Sequence, residues 1–321
     1  MQIQDNSMII GKDCYFGLDT HKTMLNNNVM IVGSPGSGKT RGIVTPNLLI
    51  AEGSYVISDP KGNLCDMYGE YLKSKGYEVK RLDFVNPEKS CHYNPLEYVE
   101  SDQDILKLSH LFVMGGSNNR RKTLDRFWDD TAVILYSAII SYVKEILSSE
   151  GVNLRSVFKI MNMGVVSESE MLSGKTNKLN VLFTYAKEQY LRREINGNDP
   201  FFFRQFEKIM AATNKTYSSI LIAALSNIGM YDTDEIEEMT SFDETDIRSI
   251  GDKKTAVFVV TSDTDRSMDV LVNIFFSQAI NVLCSYADSL ENNRLPIDVR
   301  FIMDDFATNC IIDQFPRMIS S

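Results

Sequence analysis

Hydrophobic and polar positions follow two rhythms along this chain. Val29-Met30-Ile31-Val32 is a short apolar run that ends at a glycine-rich turn, and it predicts a buried strand. Ser54-Tyr55-Val56-Ile57-Ser58 predicts a second strand and the run from Tyr77 to Phe84 a third, with helical segments between them. Strands alternating with helices imply parallel pairing through helical crossovers, an α/β fold.

From about residue 101 the period becomes helical. Residues 102–114 and 127–148 carry apolar side chains at helix spacing, as in Phe127, Ala132, Leu135, Ile139, Val143 and Ile146. Further helices are predicted near 153–163, 178–194, 200–212 and 216–229, with no strand among them. Strands return at Ala256 to Thr261 and Val299 to Met303, and an apolar helix at about 268–286 lies between them. The simplest architecture is a discontinuous α/β domain, residues 1–100 and 241–321, interrupted by an all-helical insertion over 101–240. The acidic stretch from Tyr231 to Ile250 reads as a solvated linker with short helices.

Composition narrows this picture. Apolar residues make up 43% and charged residues 24%, ordinary for a globular protein. No run reaches eighteen consecutive apolar residues, and the first 28 residues lack the pattern of a signal peptide, so a cytoplasmic chain is expected. Five scattered cysteines without a C-x-x-C pair, and three isolated histidines, indicate neither a disulfide framework nor a zinc site. The balance of 33 basic against 43 acidic residues, net −10, counts against a protein that coats DNA. Any contact with nucleic acid is therefore expected to be local, on a loop or in a channel. Gly115 to Lys122, with Arg120, Arg121 and Lys122, is a candidate pore loop, although a solvated connection between helices is the commoner use of such a stretch. Lys187, Arg192 and Arg193 form a second basic cluster with the same ambiguity.

The chemistry centres on Gly33-Ser34-Pro35-Gly36-Ser37-Gly38-Lys39-Thr40, which fits G-x-x-x-x-G-K-[ST]. Glycines let successive backbone N–H groups turn inward around phosphate oxygens, and the helix that follows adds a favourable dipole. Lys39 is expected to reach the β- and γ-phosphates, Thr40 to hold Mg²⁺ through its hydroxyl, and Arg41 to border the nucleotide. Such a site needs a carboxylate at a strand end, and Phe301-Ile302-Met303-Asp304-Asp305 supplies two. Asp304 is the candidate metal ligand and Asp305 the group that orients the attacking water. Asp305 is one methylene shorter than glutamate, which predicts slow hydrolysis. Asp59 and Lys61, in the turn Ser58-Asp59-Pro60-Lys61-Gly62, fall at the same edge of the sheet, near the γ-phosphate or a DNA-facing surface. Ser262-Asp263-Thr264-Asp265 is expected to cap the next helix. No Asn-Lys-x-Asp occurs, so adenine is the expected base and Mg-ATP the expected ligand.

Taken in order, the P-loop, the Asp59-Pro60-Lys61-Gly62 turn, Asn94-Pro95-Leu96, Phe127-Trp128, the helical insertion and Met303-Asp304-Asp305-Phe306-Ala307 resemble the TraG-like coupling ATPases of conjugation and type IV secretion, particularly those of Gram-positive mobile elements. The resemblance covers nearly the whole chain. It implies a RecA-like P-loop motor that forms hexamers at the cytoplasmic face of the membrane. Such a motor takes a relaxase or effector protein, with single-stranded DNA, to the components of a secretion channel. It also implies that residues 101–240 correspond to the all-alpha domain associated with substrate recognition. The chain departs from the family in having Asn63 where glutamate is usual, an Asp304-Asp305 pair in place of Asp-Glu, no transmembrane helices at its start, and an end at Ser321 soon after that pair. These departures predict a soluble fragment or truncated product. An arginine finger is implied too, with Arg41, Arg120 and Arg121 as candidates. The competing expectations are a nucleotide-binding docking module with little or no hydrolysis, and a DNA motor of the FtsK or HerA kind.

Overall fold

The computed structural model of the chain describes residues 7–114, 126–165, 177–193, 197–262 and 264–305, together with residues 312, 315 and 319. Its centre is a four-stranded parallel sheet of β3 (Ser54–Pro60), β4 (Glu78–Asp83), β5 (Thr255–Thr261) and β6 (Val299–Met303), in the spatial order β4-β5-β3-β6. Every residue of β5 is buried, and so is β3 up to Asp59. Parallel strands covered on both faces read as unbroken apolar runs, which is why the sequence marks them so clearly. A separate hairpin, β1 (Ser7–Gly11) and β2 (Cys14–Gly17), and the short helix α1 (Thr20–Thr23) precede the sheet.

Helices cover both faces. On one face α2 (Thr45–Ile50) and α3 (Asn63–Ser74) pack Val44, Leu48, Leu64 and Leu72 against Tyr55, Ile57, Ala256 and Phe258. On the other, α11 (Asp269–Ser289) lays Val270, Leu271, Ile274 and Phe275 into a larger core that also takes in Val56, Val257 and Val259. By length and composition α11 could cross a membrane, but 56% of its most apolar window is buried inside the protein, as befits a core helix.

That larger core runs without a break into the helices between β4 and β5. These are α4 (Asp102–Met114), α5 (Arg126–Ile146), α6 (Leu154–Met163), α7 (Lys178–Leu191), α8 (Phe201–Met210), α9 (Asn214–Ile228) and α10 (Asp234–Met239). The central one, α5, buries Leu135, Tyr136, Ile139 and Val143, each contributing about 1.5–3 kcal/mol relative to exposure. Aromatic pairs stitch the bundle, with Tyr142 stacked on Phe183 at 5.0 Å and Phe183 on Phe206 at 4.4 Å. Among the described residues of this stretch there is no strand, as the helical period predicts.

The helical excursion leaves and rejoins the sheet at one place. Tyr93 N–H donates to Met239 O, Glu244 N–H to His92 O, and Asn94 N–H to the Asp243 carboxylate. Asn94 also donates through Nδ2 to Val152 O, and Gln278 Nε2 of α11 donates to Pro95 O. Asn94-Pro95-Leu96 is therefore the knot where the sheet, the helices and the returning chain meet.

Three local expectations are corrected. Val29–Val32 forms no strand and is exposed, with Met30 at 88% and Val32 at 83%. A strand needs a ladder partner, and among the described residues β6, an edge strand of the sheet, pairs with β3 alone. The acidic stretch is less solvated than its charge implies. Tyr231, Ile236, Met239, Thr245, Ile247 and Ile250 are buried beneath it, and Asp243 accepts hydrogen bonds from Tyr98 Oη and from Asn94 and Asp246 N–H. Ser262 and Asp265 do not cap α11, whose N-cap is Met268 without a side-chain bond. Instead they brace the turn before it, Ser262 Oγ accepting from Asp265 N–H and the Asp265 carboxylate from Ser267 N–H.

Candidate nucleotide-binding site

The glycine-rich loop Gly33 to Thr40 runs exposed into a single π-helical turn, Thr40–Val44, and then into α2. Pro46 explains the widened turn. Its ring crowds the carbonyl four residues back, at Gly42, and the turn before it opens so that Thr45 N–H reaches five residues back to Thr40 O. Asn47 reinforces this start: buried on α2, it donates to Ile43 O at 2.7 Å. It also grips the hairpin, accepting from Ile9 N–H at 2.9 Å and donating to Ile9 O at 2.7 Å. A side-chain amide thus stands in for a missing strand on the edge of β1.

Within the loop, Gly36 and Gly38 have φ of 75° and 84°, and open space surrounds the position each Cβ would take. Backbone handedness, not crowding, therefore sets the demand for glycine there. Lys39 curls back over its own loop, its ammonium donating to Gly33 O at 3.0 Å and Ser34 O at 3.4 Å. Arg41 points into solvent from the π turn.

The parallel register brings the carboxylates to this loop. Asp304 follows β6 at its C-terminal end, the edge where ligands of α/β sheets gather. It is 9% exposed and accepts at Oδ2 from Thr40 Oγ1 at 2.5 Å. Asp305 is exposed, has φ of 49°, and donates its N–H back to Asp304 Oδ1 at 3.2 Å. The hydroxyl and carboxylate predicted to share a metal ion are thus adjacent, while Asp305 opens to solvent beside them. The Thr40 hydroxyl and the Asp304 carboxylate are hard oxygens that would suit a divalent cation, beside a loop whose lysine is held by its own carbonyls.

The next strand adds a turn that the sequence only hinted at. Asp59 is fully buried and caps α3, accepting from Leu64 N–H at 2.9 Å and Cys65 N–H at 2.8 Å. Burial raises its pKa, opposed by those two bonds and by Arg81. Lys61, at φ 71°, donates its N–H to Thr261 O. Arg81, missed by sequence reasoning, clamps the turn from β4 by pairing with Asp66 at 2.6 Å and Asp83 at 2.8 Å. Its one sequence signal is a basic residue in an otherwise half-buried strand. Asn47 had a plainer signal, a lone amide on the apolar face made by Val44, Leu48 and Ala51. Arg120 and Arg121, Asp263, Phe306 and Ala307, and the basic run 115–122 lie outside the described residues.

The site can be set beside known proteins. The VirD4 protein of Agrobacterium fabrum is 21% identical over 312 residues, 93% of this chain and 42% of its own length. That of Rhizobium rhizogenes is 20% identical over 284 residues, 86% of this chain and 38% of its own. The chain thus spans about two fifths of the length of these curated relatives. The plasmid coupling protein TrwB, solved with the non-hydrolysable ATP analogue ADPNP, is similar in fold with a TM-score of 0.52 at 16% identity, covering 86% of this chain and 56% of TrwB. TrwB solved with the GTP analogue GDPNP gives a TM-score of 0.51. The likeness shows the fold, a RecA-like P-loop α/β architecture with a mostly parallel sheet. A family model described as type IV secretory system conjugative DNA transfer matches residues 2–319, and this chain belongs to that family.

Proposed function

We propose that this chain is the Mg-ATP-binding core of a coupling protein for conjugative DNA transfer through a type IV secretion system. The observation that carries the proposal is the 2.5 Å bond between Thr40 Oγ1 and Asp304 Oδ2, which unites the glycine-rich loop with the end of β6. Family membership and the nucleotide analogues in TrwB support it. The FtsK- or HerA-like alternative has no such support.

In this mechanism the N–H groups of Gly33 to Thr40 cradle the phosphates. Lys39 exchanges the Gly33 and Ser34 carbonyls for phosphate oxygens. Thr40 and Asp304 would hold Mg²⁺, whose charge would offset that of the terminal phosphates. Asp305, exposed at the strand end, takes the proton of an attacking water. Residues 1–100 and 241–321 form the nucleotide-binding domain, and the helices of 101–240 form the docking domain for a relaxase or effector protein. Within the longer protein the core works as a homo-hexamer at the cytoplasmic face of the membrane, passing single-stranded DNA to channel components.

A second reading, nucleotide binding with little hydrolysis, is favoured by Asp305 itself: its side chain is short and its backbone is tied to Asp304. Steady-state ATP turnover, with and without single-stranded DNA and beside a Lys39→Ala control, separates the two. DNA-stimulated turnover that the control abolishes supports the motor. Binding without turnover leaves the docking module, and absence of binding overturns both.

A further inference from the structure

Two non-glycine residues with left-handed backbone stand at the ends of adjacent strands at this site, Lys61 after β3 (φ 71°) and Asp305 after β6 (φ 49°). Side chains clash with the backbone in this region, and strain of this kind concentrates at working sites. Parallel register relates the two. Ser58 is level with Met303, the last residue of β6, so Asp304 and Asp305 leave β6 and Lys61 leaves β3 at the same C-terminal edge of the sheet. Neighbouring strands lie about 4.8 Å apart, so the exposed side chain of Lys61 emerges one strand away from the carboxylate pair, within the reach of a lysine.

The turn that presents Lys61 is held from several sides. Its own N–H is bound by Thr261 O and Gly62 N–H by Asp59 O. Gly62, at φ 76°, sits so close under Arg81 that a Cβ there would lie 2.5 Å from Nη2. The N–H groups of Leu64 and Cys65 at the start of α3 are already taken by Asp59, so an anion reaching this turn meets the Lys61 side chain instead of the helix end.

Charge selects the ligand. A terminal phosphate entering beside Asp304 and Asp305 faces two carboxylates, and Lys39 approaches from the loop side only. We propose that Lys61 is a terminal-phosphate contact, reaching across from the neighbouring strand to bind the γ-phosphate of a nucleoside triphosphate and so setting the preference for triphosphate over diphosphate. This rests on the reading of Gly33 to Thr40 as the Mg-ATP site and deepens it. It also accounts for a lysine standing where glycine would be unstrained: the backbone conformation aims the side chain.

The test uses the whole chain, with Mg-ATPγS and Mg-ADP as probes and affinities read by calorimetry. Lys61→Gly removes the ammonium and relieves the strain, so its melting temperature without nucleotide should equal or exceed that of the unmodified chain. Its affinity for Mg-ATPγS should fall about tenfold or more, the loss expected for a hydrogen bond to a charged group, while Mg-ADP affinity stays unchanged. Lys61→Arg should keep most of the triphosphate preference. If Lys61→Gly loses both nucleotides equally, or retains the original ratio, the proposal falls while the P-loop reading stands. If the unmodified chain binds neither probe, both fall together.

Discussion

Thr40 and Asp304 are separated by 264 residues in the chain, yet the threonine hydroxyl donates directly to the aspartate carboxylate at 2.5 Å. Without that bond, the loop and the sheet edge would be two unrelated turns. If the pair holds the metal, Asp304→Asn should weaken nucleotide binding about tenfold or more in the presence of Mg²⁺ and little in EDTA. Titration of a fluorescent ATP analogue under both conditions measures this, and an equal loss in each would assign Asp304 a structural role alone.

The grip of Asn47 on Ile9 predicts a local defect. In Asn47→Ala, the Ile9 N–H and the Ile9 and Ile43 carbonyls lose a partner, and each such group costs about 1–3 kcal/mol where it stays buried. Hairpin residues 7–17 should become the first site of proteolytic cleavage in this variant, while urea unfolding reports a loss of about 2–4 kcal/mol. Unchanged cleavage in the hairpin would show that its hold lies elsewhere.

The crowding of Gly62 beneath Arg81 predicts an energetic coupling. Gly62→Ala should cost more than the ~1 kcal/mol of an ordinary left-handed glycine, because the methyl meets a guanidinium already fixed by two carboxylates. Arg81→Ala should recover part of that cost in the double variant, giving a coupling of about 1 kcal/mol in a thermodynamic cycle. Additive losses would refute the contact.

Asp269, at the first position of α11, has its pKa raised by burial to about 6, with Arg266 opposing. A carboxyl whose folded pKa exceeds its unfolded value near 3.8 favours the folded state when protonated. Its contribution is therefore lost as pH rises from about 4 to about 6 and stays lost above that. Asp269→Asn should gain stability relative to the unmodified chain between pH 4.5 and pH 7.5, by about 1 kcal/mol after allowance for its partly exposed position. Urea midpoints at the two pH values measure this, and an unchanged difference would place the carboxyl in water.

Much of the architecture is legible before any coordinates. Buried parallel strands write themselves as apolar runs and helices as a 3.6-residue period, so β3 to β6 and α4 to α9 fall close to where the pattern places them. Patterns describe a segment and not its neighbours. Val29–Val32 has the composition of a strand, yet among the described residues it pairs with no strand of the sheet. Asp243 looks like one more surface charge in an acidic run until Tyr98 and Asn94 close around it. At the site, Lys39, Thr40 and Asp304 could be named because phosphate and metal chemistry fixes residue type and spacing. Arg81 and Asn47 gave fainter signals, since Arg81 acts through the Asp66 and Asp83 carboxylates and Asn47 through the backbone of Ile9 and Ile43, and neither role leaves a motif.

The knot at Asn94-Pro95-Leu96 has a consequence for how such a chain can change over generations. The excursion between β4 and β5 starts and finishes among residues bonded to one another, Tyr93 to Met239 and His92 to Glu244. A stretch with adjoining ends is a cassette. It can lengthen, shorten or be exchanged in a single genetic event while β4 and β5 keep their register. Helical excursion and sheet can then drift at separate rates, provided that the apolar seam under α4 and α11 stays filled.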